Sequence, residues 1–390
     1  METIKVGVVG ATGYAGSEIC RLIAGHPQAE LSAISSVSFE GKAISEVYPA
    51  YFNLCDMVCE TAGQVVDKCD VVFAALPHGL SQELAKACDE KGKAFIDLGA
   101  DFRLDSEEEY QKWYGGTYQD KELHEKAVYG LPELFRKDIL GKRVIANPGC
   151  YTTGAPLALA PAVANGLIEL TGIIIDSKSG VTGAGRGLSQ GTHYPDLNEG
   201  LHAYKVASHR HTPEIEQTLS RLSGQKVHVT FVPHLLPVNR GILSTCYGRL
   251  KPDVTKAQVR KAYEDFYQDE YFVRLLPDGM NADIHNIKYS NFCDISLHID
   301  TRCGNLIAIS AIDNMVKGAA GQAIQNMNLI FGLEEPRGWH WCPRHFNQGE
   351  KERTIMPIKQ IPGGVTAAQG FTAPGFTAAS VKINPSGIWR

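Results

Sequence analysis

The chain of 390 residues has no apolar run long enough to cross a membrane, because its hydrophobic stretches are short and broken by charge or glycine. It also lacks a basic cluster. Lys and Arg number 38 against 43 Asp and Glu, a net charge of −5, which argues against nucleic acid as the main partner. None of its ten cysteines forms C-x-x-C, and the nearest pair, Cys55 and Cys59, lacks the spacing of a zinc site. Ten thiols in a chain this long are too sparse for a disulfide scaffold, so reduced cysteines in a cytoplasm and no bound metal are the natural reading. The first strand-like run starts at residue 4 and leaves no room for a signal peptide. With 44% hydrophobic and 21% charged residues, the chain can bury a large core and is long enough for two domains.

What is present begins with Ile4-Lys5-Val6-Gly7-Val8-Val9, a buried strand running into Gly10-Ala11-Thr12-Gly13-Tyr14-Ala15-Gly16. Ala15, Ile19, Leu22 and Ile23 then fall at helical spacing, and Gly25 with Pro27 ends the helix. A strand, a glycine turn and a helix in that order suit the pyrophosphate of a dinucleotide, although G-x-x-G-x-x-G departs from the usual G-x-G-x-x-G and a bare tight turn is the competing reading. The next strand-like run, Leu31 to Ile34, leads into Ser35-Ser36-Val37-Ser38, where an NAD enzyme would often carry an acid for the ribose hydroxyls. No acid stands there. Ser36 and Ser38, with Lys42 downstream, can accept a 2′-phosphate, which leans toward NADP, though no arginine is at hand. Strand-like runs at 71–76, 94–98 and 143–146 alternate with helical stretches such as 80–91, the pattern of a doubly wound α/β domain. Ligands collect at the C-terminal ends of such strands, where Leu76-Pro77-His78-Gly79 and the segment from Asp97 to Arg103 fall.

The turn Asn147-Pro148-Gly149-Cys150 ends one of these strands, and Ala155 to Ala160 read as a helix after it. A thiol there lies near unpaired helix N–H groups, an environment that lowers its pKa, so Cys150 is a candidate nucleophile; a buried structural cysteine is the alternative. From about residue 170 longer strand-like segments follow at 172–178, 226–232, 242–250 and 292–300, with a helical interval near 254–268, which predicts a second domain on an antiparallel or mixed sheet. A glycine-rich loop spans Ser179 to Gly187. In Ser208-His209-Arg210-His211-Thr212-Pro213, Thr212 is placed to cap a helix with Pro213 at its first position, just after two histidines that read as metal ligands, though no third ligand lies near in sequence, or as solvent-exposed loop residues. A last helix is expected to begin at Ile312 and run to about Phe331.

Together, GATGYAG, NPGCYTTG, SGVTGAGR, HRHTPEIEQ and DNMVKGAAGQAIQNMN resemble the N-acetyl-gamma-glutamyl-phosphate reductases, over about residues 3–333. The resemblance to aspartate-semialdehyde dehydrogenases, which share acyl-phosphate chemistry, is more distant. It implies a Rossmann-type doubly wound parallel sheet plus an α+β substrate and dimerisation domain, divided as 1–149 with 314–333 and 150–313. It further implies an NADPH/NADP cofactor and a homodimer or homotetramer acting on a small molecule in arginine biosynthesis. Cys150 becomes the thiolate that forms a thioacyl enzyme, with His211 the acid/base and His209 its competitor. Arg103 matches an arginine that holds substrate phosphate or carboxylate, against the alternative of a salt bridge to Asp101 or Asp105. Gly10, Thr12, Gly13, Tyr14, Ala15 and Gly16 match the phosphate loop, and Pro77 and Asn314 match positions near the nicotinamide. Aspartyl phosphate and carrier-linked aminoadipyl phosphate stay open as substrates, as does a non-catalytic nucleotide-binding protein. Residues 334–390 depart from the family: Pro- and Gly-rich, without amphipathic period, they are expected to be disordered. Within them 356–371 resemble the opening of glutamate N-acetyltransferase, which implies a joining of two reading frames with Met356 the start of the second.

Overall fold

The computed structural model describes residues 2–339, and the tail reading at 340–390 lies outside the described residues. Strand β1 (Ile4–Val9) buries five of its six residues, Val6 and Val8 completely, as a parallel strand covered on both faces must. It pairs with β2 (Ala29–Ser35) on one side and β4 (Val71–Ala74) on the other, both in parallel. β3 (Cys59–Glu60), β5 (Ala94–Asp97), β6 (Val128–Tyr129) and β7 (Val144–Ala146) complete a seven-stranded sheet in the order β3-β2-β1-β4-β5-β7-β6. The order reverses between β1 and β4, so a crevice opens there at the strands' C-terminal ends. The run expected at 71–76 stops as a strand at Ala74, and its last residues already belong to the crevice wall.

The second sheet contains β8 (Ile173–Gly180), β9 (His202–Ala203), β10 (Val229–Leu236), β11 (Ile242–Arg249), β12 (Val273–Leu275), β13 (Cys293–Asp300) and β14 (Asn305–Ile312). Its order is β12-β13-β14-β11-β8-β10-β9, with β8 and β10 parallel, β12 and β13 parallel, and the remaining pairs antiparallel, so it is mixed. The helix Cys150–Ala164 lies against this sheet and the helix Thr212–Ser223. Every residue from Tyr151 to Val163 is buried, which accounts for its being apolar on all sides.

Two expectations need correction. Ile312 does not start a helix: it ends β14, whose alternation of half-buried and buried residues is the period of a strand. The chain then passes through a π turn, Val316–Ala320, into the helix Gly321–Ile330. Ile324 and Met327 of that helix join the same apolar core as Val6, Val8 and Ile96, so the chain's return is packed on the first sheet. Thr212 does not cap its helix either. It is the first helical residue, its hydroxyl is buried without a partner, and His211 occupies the capping position.

Candidate active site

The helix carrying the candidate nucleophile starts at Cys150 itself, with Gly149 as its N-cap and no side chain capping it. One buried carboxylate holds this turn. Glu214, wholly buried, accepts hydrogen bonds from the Gly149 N–H at 3.0 Å, the Thr152 hydroxyl at 2.6 Å and the Tyr129 hydroxyl at 2.7 Å. Arg103 completes the cluster with an ion pair to Glu214 at 3.4 Å, while its Nε donates to the Asn147 carbonyl at 2.9 Å and its Nη2 to the Leu98 carbonyl at 2.8 Å. Neither aspartate considered from the sequence is its partner: Asp101 accepts from Gly79 N–H, Ser81 N–H and Tyr110 OH, and Asp105 pairs with Arg221.

His209 and His211 are brought to the same turn. Their rings lie 4.8 Å apart between centroids, and both stand edge-to-face with Tyr151, at 5.6 and 5.8 Å. His209 Nδ1 accepts the His211 backbone N–H at 3.1 Å. A Cβ at position 149 would meet His211 Nε2 at 2.4 Å and Arg103 Nη1 at 2.8 Å, so imidazole and guanidinium both rest on the residue before Cys150, and only glycine leaves them room. Among the described residues no cluster of His, Cys, Asp and Glu is arranged to hold a metal ion.

The electrostatics correct one expectation. Burial pushes the Cys150 thiol up to about 11, against the Tyr151 N–H and the Arg103 charge, which both pull it down; the helix start acts in the predicted direction but burial outweighs it. Burial also drives His209 down to about 2, helped by His211 and Lys205, and His211 well below its ordinary value, helped by Arg103 and Arg210. The resting pair at neutral pH is therefore a thiol and neutral imidazoles.

These groups line a cleft of about 920 Å³. Pro77 and His78 from the loop after β4, and Tyr114 at the end of the helix Glu107–Tyr114, line it together with Tyr204, Lys205 and Arg210. Arg210 closes the gap, with Nη1 2.9 Å from the His78 ring nitrogens and its guanidinium 5.3 Å from the Tyr114 ring. The expected phosphate loop, Gly10 to Gly16, lies at the end of β1. Gly10 has φ +89°, and a Cβ there would meet the Ala75 carbonyl at 2.4 Å; at Gly16 it would meet the Gly10 carbonyl at 2.2 Å. The helix Tyr14–Ile23 that follows, with Ala15 in its first turn, has Gly13 as N-cap and no side chain on its leading N–H groups, which suits an incoming pyrophosphate. Thr12 and Ser36 are buried and share a hydrogen bond at 2.6 Å, while Ser38 stays exposed. The positions directly after β2, Ser36 to Ser38, thus carry hydroxyls and no carboxylate, in keeping with NADP. Asn314 is buried, with its oxygen accepting the Gly241 N–H and its amide donating to the Thr182 hydroxyl, so it braces the glycine-rich loop that forms one side of the cleft.

Sequence reasoning passed over Glu214, Tyr129 and Arg210. Glu214 had one available signal, an acid in the first turn of a helix that begins directly after His211; the others are joined to the site only by the fold.

Residues 5–142 match the family described as semialdehyde dehydrogenase, NAD binding domain, and residues 150–314 match semialdehyde dehydrogenase, dimerisation domain. The N-acetyl-gamma-glutamyl-phosphate reductase of Clostridium beijerinckii is 54% identical over 335 residues, 86% of this chain and 97% of that protein. Two crystal structures share the fold. Aspartate semialdehyde dehydrogenase II of Vibrio cholerae, complexed with ASA, matches with a TM-score of 0.64 at 17% identity, over 84% of this chain and 98% of its own. The Candida albicans aspartate semialdehyde dehydrogenase with NADP matches with a TM-score of 0.61 at 18% identity, over the same shares.

Proposed function

Because the chain belongs to the N-acetyl-gamma-glutamyl-phosphate reductase family, we propose that it reduces N-acetyl-γ-glutamyl phosphate to N-acetylglutamate 5-semialdehyde and releases phosphate, in arginine biosynthesis. The observation that carries this reading is the position of Cys150 at a helix start in a cleft shared by the phosphate loop's domain and the histidine pair. An acyl phosphate has a good leaving group and needs a nucleophile that can itself leave later, and sulfur meets both needs. With the thiol pushed up and the imidazoles held neutral, the proton passes from Cys150 Sγ to an imidazole as sulfur attacks the acyl carbon. His211 takes that role ahead of His209, because His211 Nε2 lies against Gly149 while His209 Nδ1 is occupied by a backbone N–H. The acyl–oxygen bond breaks, phosphate leaves, and a thioacyl enzyme remains.

The loop Gly10 to Gly16, with Ser36, Ser38 and Pro77, would hold NADPH, which would supply the hydride that reduces the thioester. The resulting thiohemiacetal collapses with return of the proton from the imidazole to sulfur. Each tetrahedral oxyanion is met by N–H groups at the start of the Cys150 helix. Arg103, with three of its N–H groups directed to the fold, turns residual positive charge toward the substrate's phosphate or carboxylate, and Lys205 and Arg210 add charge on the opposite wall.

Matching a dimerisation domain supports a homo-oligomer, a dimer or tetramer. The outer face of the second sheet offers the row Ile174, Tyr247 and Ile307, cross-strand neighbours of which Ile174 is exposed. The likeness of 356–371 to the start of glutamate N-acetyltransferase is part of the same reading and adds no second activity, since that family's nucleophilic threonine lies far beyond such an opening.

The test is the reverse reaction, N-acetylglutamate semialdehyde with NADP and phosphate, followed by NADPH absorbance. Phosphate-dependent NADPH formation that Cys150→Ser abolishes is expected. Activity with aspartate semialdehyde instead would retain the thiol mechanism and reject the substrate. Silence with both aldehydes would reject the catalytic reading in favour of nucleotide binding alone.

A further inference from the structure

The loop after β2 departs from both usual arrangements for the adenosine ribose: Ser36 to Ser38 carry no acid for the hydroxyls of NAD, the first carboxylate being the exposed Glu40 beyond them, and the loop has no arginine of its own for the 2′-phosphate of NADP. Ser36 is buried with its hydroxyl engaged by Thr12, and Val37, in the position next to it, is 89% exposed and offers nothing polar. What the loop itself can present is the exposed Ser38 hydroxyl and, further on, the exposed Lys42.

The missing guanidinium arrives from the other side of the cleft. Arg186, in the glycine-rich loop after β8, donates from Nη1 to the Thr12 carbonyl at 2.9 Å. Its guanidinium lies 4.9 Å from the centre of the Tyr48 ring and 5.6 Å from that of Phe39. Phe39 ends the single 3-10 turn Val37–Phe39 that begins directly after Ser36, so the arginine sits where β2 gives way to the loop that receives the ribose in this type of sheet. We propose that Arg186 reads the 2′-phosphate of NADP(H), so that selection between the two dinucleotides is made by a residue of the second domain. This rests on the NADP-dependent reading above.

The chemistry of the contact favours this assignment. Arg186 is exposed, and its partners, the Thr12 carbonyl and the Tyr48 hydroxyl, are both neutral, so the fork can turn to a phosphate. The faces of Tyr48 and Phe39 keep the planar group oriented, and the Tyr48 hydroxyl is itself within hydrogen-bonding reach of the guanidinium. A phosphate dianion accepts charge-assisted, bidentate hydrogen bonds that a carbonyl cannot match. The loop bearing Arg186 is itself braced, since Asn314 bonds Thr182 and the Thr182 hydroxyl bonds the Asn239 carbonyl. An anion at this point would therefore join the two halves of the cleft.

The competing assignment is the pyrophosphate, because Thr12 belongs to the phosphate loop. Equilibrium titration separates them: dissociation constants for NADP and NAD measured calorimetrically on the full chain, its Arg186→Ala and Arg186→Lys variants, and Lys42→Ala. Arg186→Ala is expected to weaken NADP by roughly 10- to 100-fold while NAD stays within about twofold, with Arg186→Lys between wild type and alanine. The unchanged NAD constant also shows that the variant is folded. Equal weakening of both nucleotides would overturn the proposal in favour of the pyrophosphate, and loss of NADP preference in Lys42→Ala but not in Arg186→Ala would transfer the role to Lys42. Wild-type protein that binds NAD as tightly as NADP would reject the cofactor reading itself, a result visible before any variant is made.

Discussion

At Cys150 two influences on a thiol oppose each other, and their balance sets how the reaction must start. The helix N-terminus and Arg103 favour the thiolate, while burial disfavours it and prevails, holding the group near 11. For the free enzyme this gives a direct expectation. The rate of Cys150 alkylation by iodoacetamide should climb about tenfold per pH unit from neutrality and level only near the thiol's raised value, since the thiolate is the reactive form. A rate already level at pH 7 would mean that the resting site holds a thiolate and that no imidazole is needed as base. The place of this cysteine was legible because Gly149-Cys150 follows a strand-like run and precedes apolar helix. Its titration was not, because burial depends on what the other domain lays over it. Glu214 shows the same limit: within the sequence it is one acid at a helix start, and its role is created by Tyr129, Thr152 and Gly149 converging on it from distant positions.

Among the elements, those with a clear period were legible and those set by contacts were not. Five strands of the first sheet fall within about two residues of their expected positions, since buried parallel strands are short continuous apolar runs bounded by turns, while the two-residue strands β3 and β6 carry no such run and are not among those expected. β14 is passed over by the sequence reading, and its last residue, Ile312, falls to the helix after it because Ala311-Ile312 and Met315-Val316 continue one apolar stretch across the boundary. What breaks the stretch is Asp313, whose carboxylate accepts the Met315 and Val316 N–H groups at 2.8 and 3.1 Å and so initiates the π turn. That turn presses on the active site. A Cβ at Gly318 would lie 2.8 Å from Cys150 Cβ and 3.1 Å from its Cα, closer than real contacts allow. Gly318→Ala should therefore displace the nucleophile and lower kcat by about 10- to 100-fold, the scale expected for an ångström of misplacement, with the dissociation constant of NADP little altered. Steady-state kinetics beside nucleotide titration would check this, and unchanged kcat would show that the turn yields without moving Cys150.

At the scale of the molecule, the parts of the chain that build the cleft are tied together by a buried ion pair that sequence gave no reason to expect. Lys317, in the π turn, and Glu133, in the helix Pro132–Ile139, are both completely buried and lie 2.6 Å apart, with the Gln325 amide bonded to the same carboxylate oxygen. Burial pushes Glu133 up, but the Lys317 charge and hydrogen bond together with Gln325 outweigh it and hold the carboxyl below its usual range. A depressed carboxylate contributes stability that is present above its unfolded pKa and is lost as pH falls through the folded one, so this pair makes the native protein weaker in acid. Lys317→Met removes the compensating charge and leaves burial in control, which raises the carboxyl instead. The slope then reverses: the variant should lose roughly 3–5 kcal/mol at pH 7, and recover part of it as pH is lowered toward 5 and Glu133 takes up a proton. Lys317→Met combined with Glu133→Leu removes both charges, and should return most of the lost stability at pH 7 while flattening the dependence between pH 5 and 7. Denaturant unfolding of the three proteins at pH 5 and 7 decides it. A double variant no more stable than the single one would mean that Lys317 acts by filling space beside Phe272, whose ring centre lies 5.5 Å from its ammonium, and that the pair's charge is not what joins the turn to the first domain.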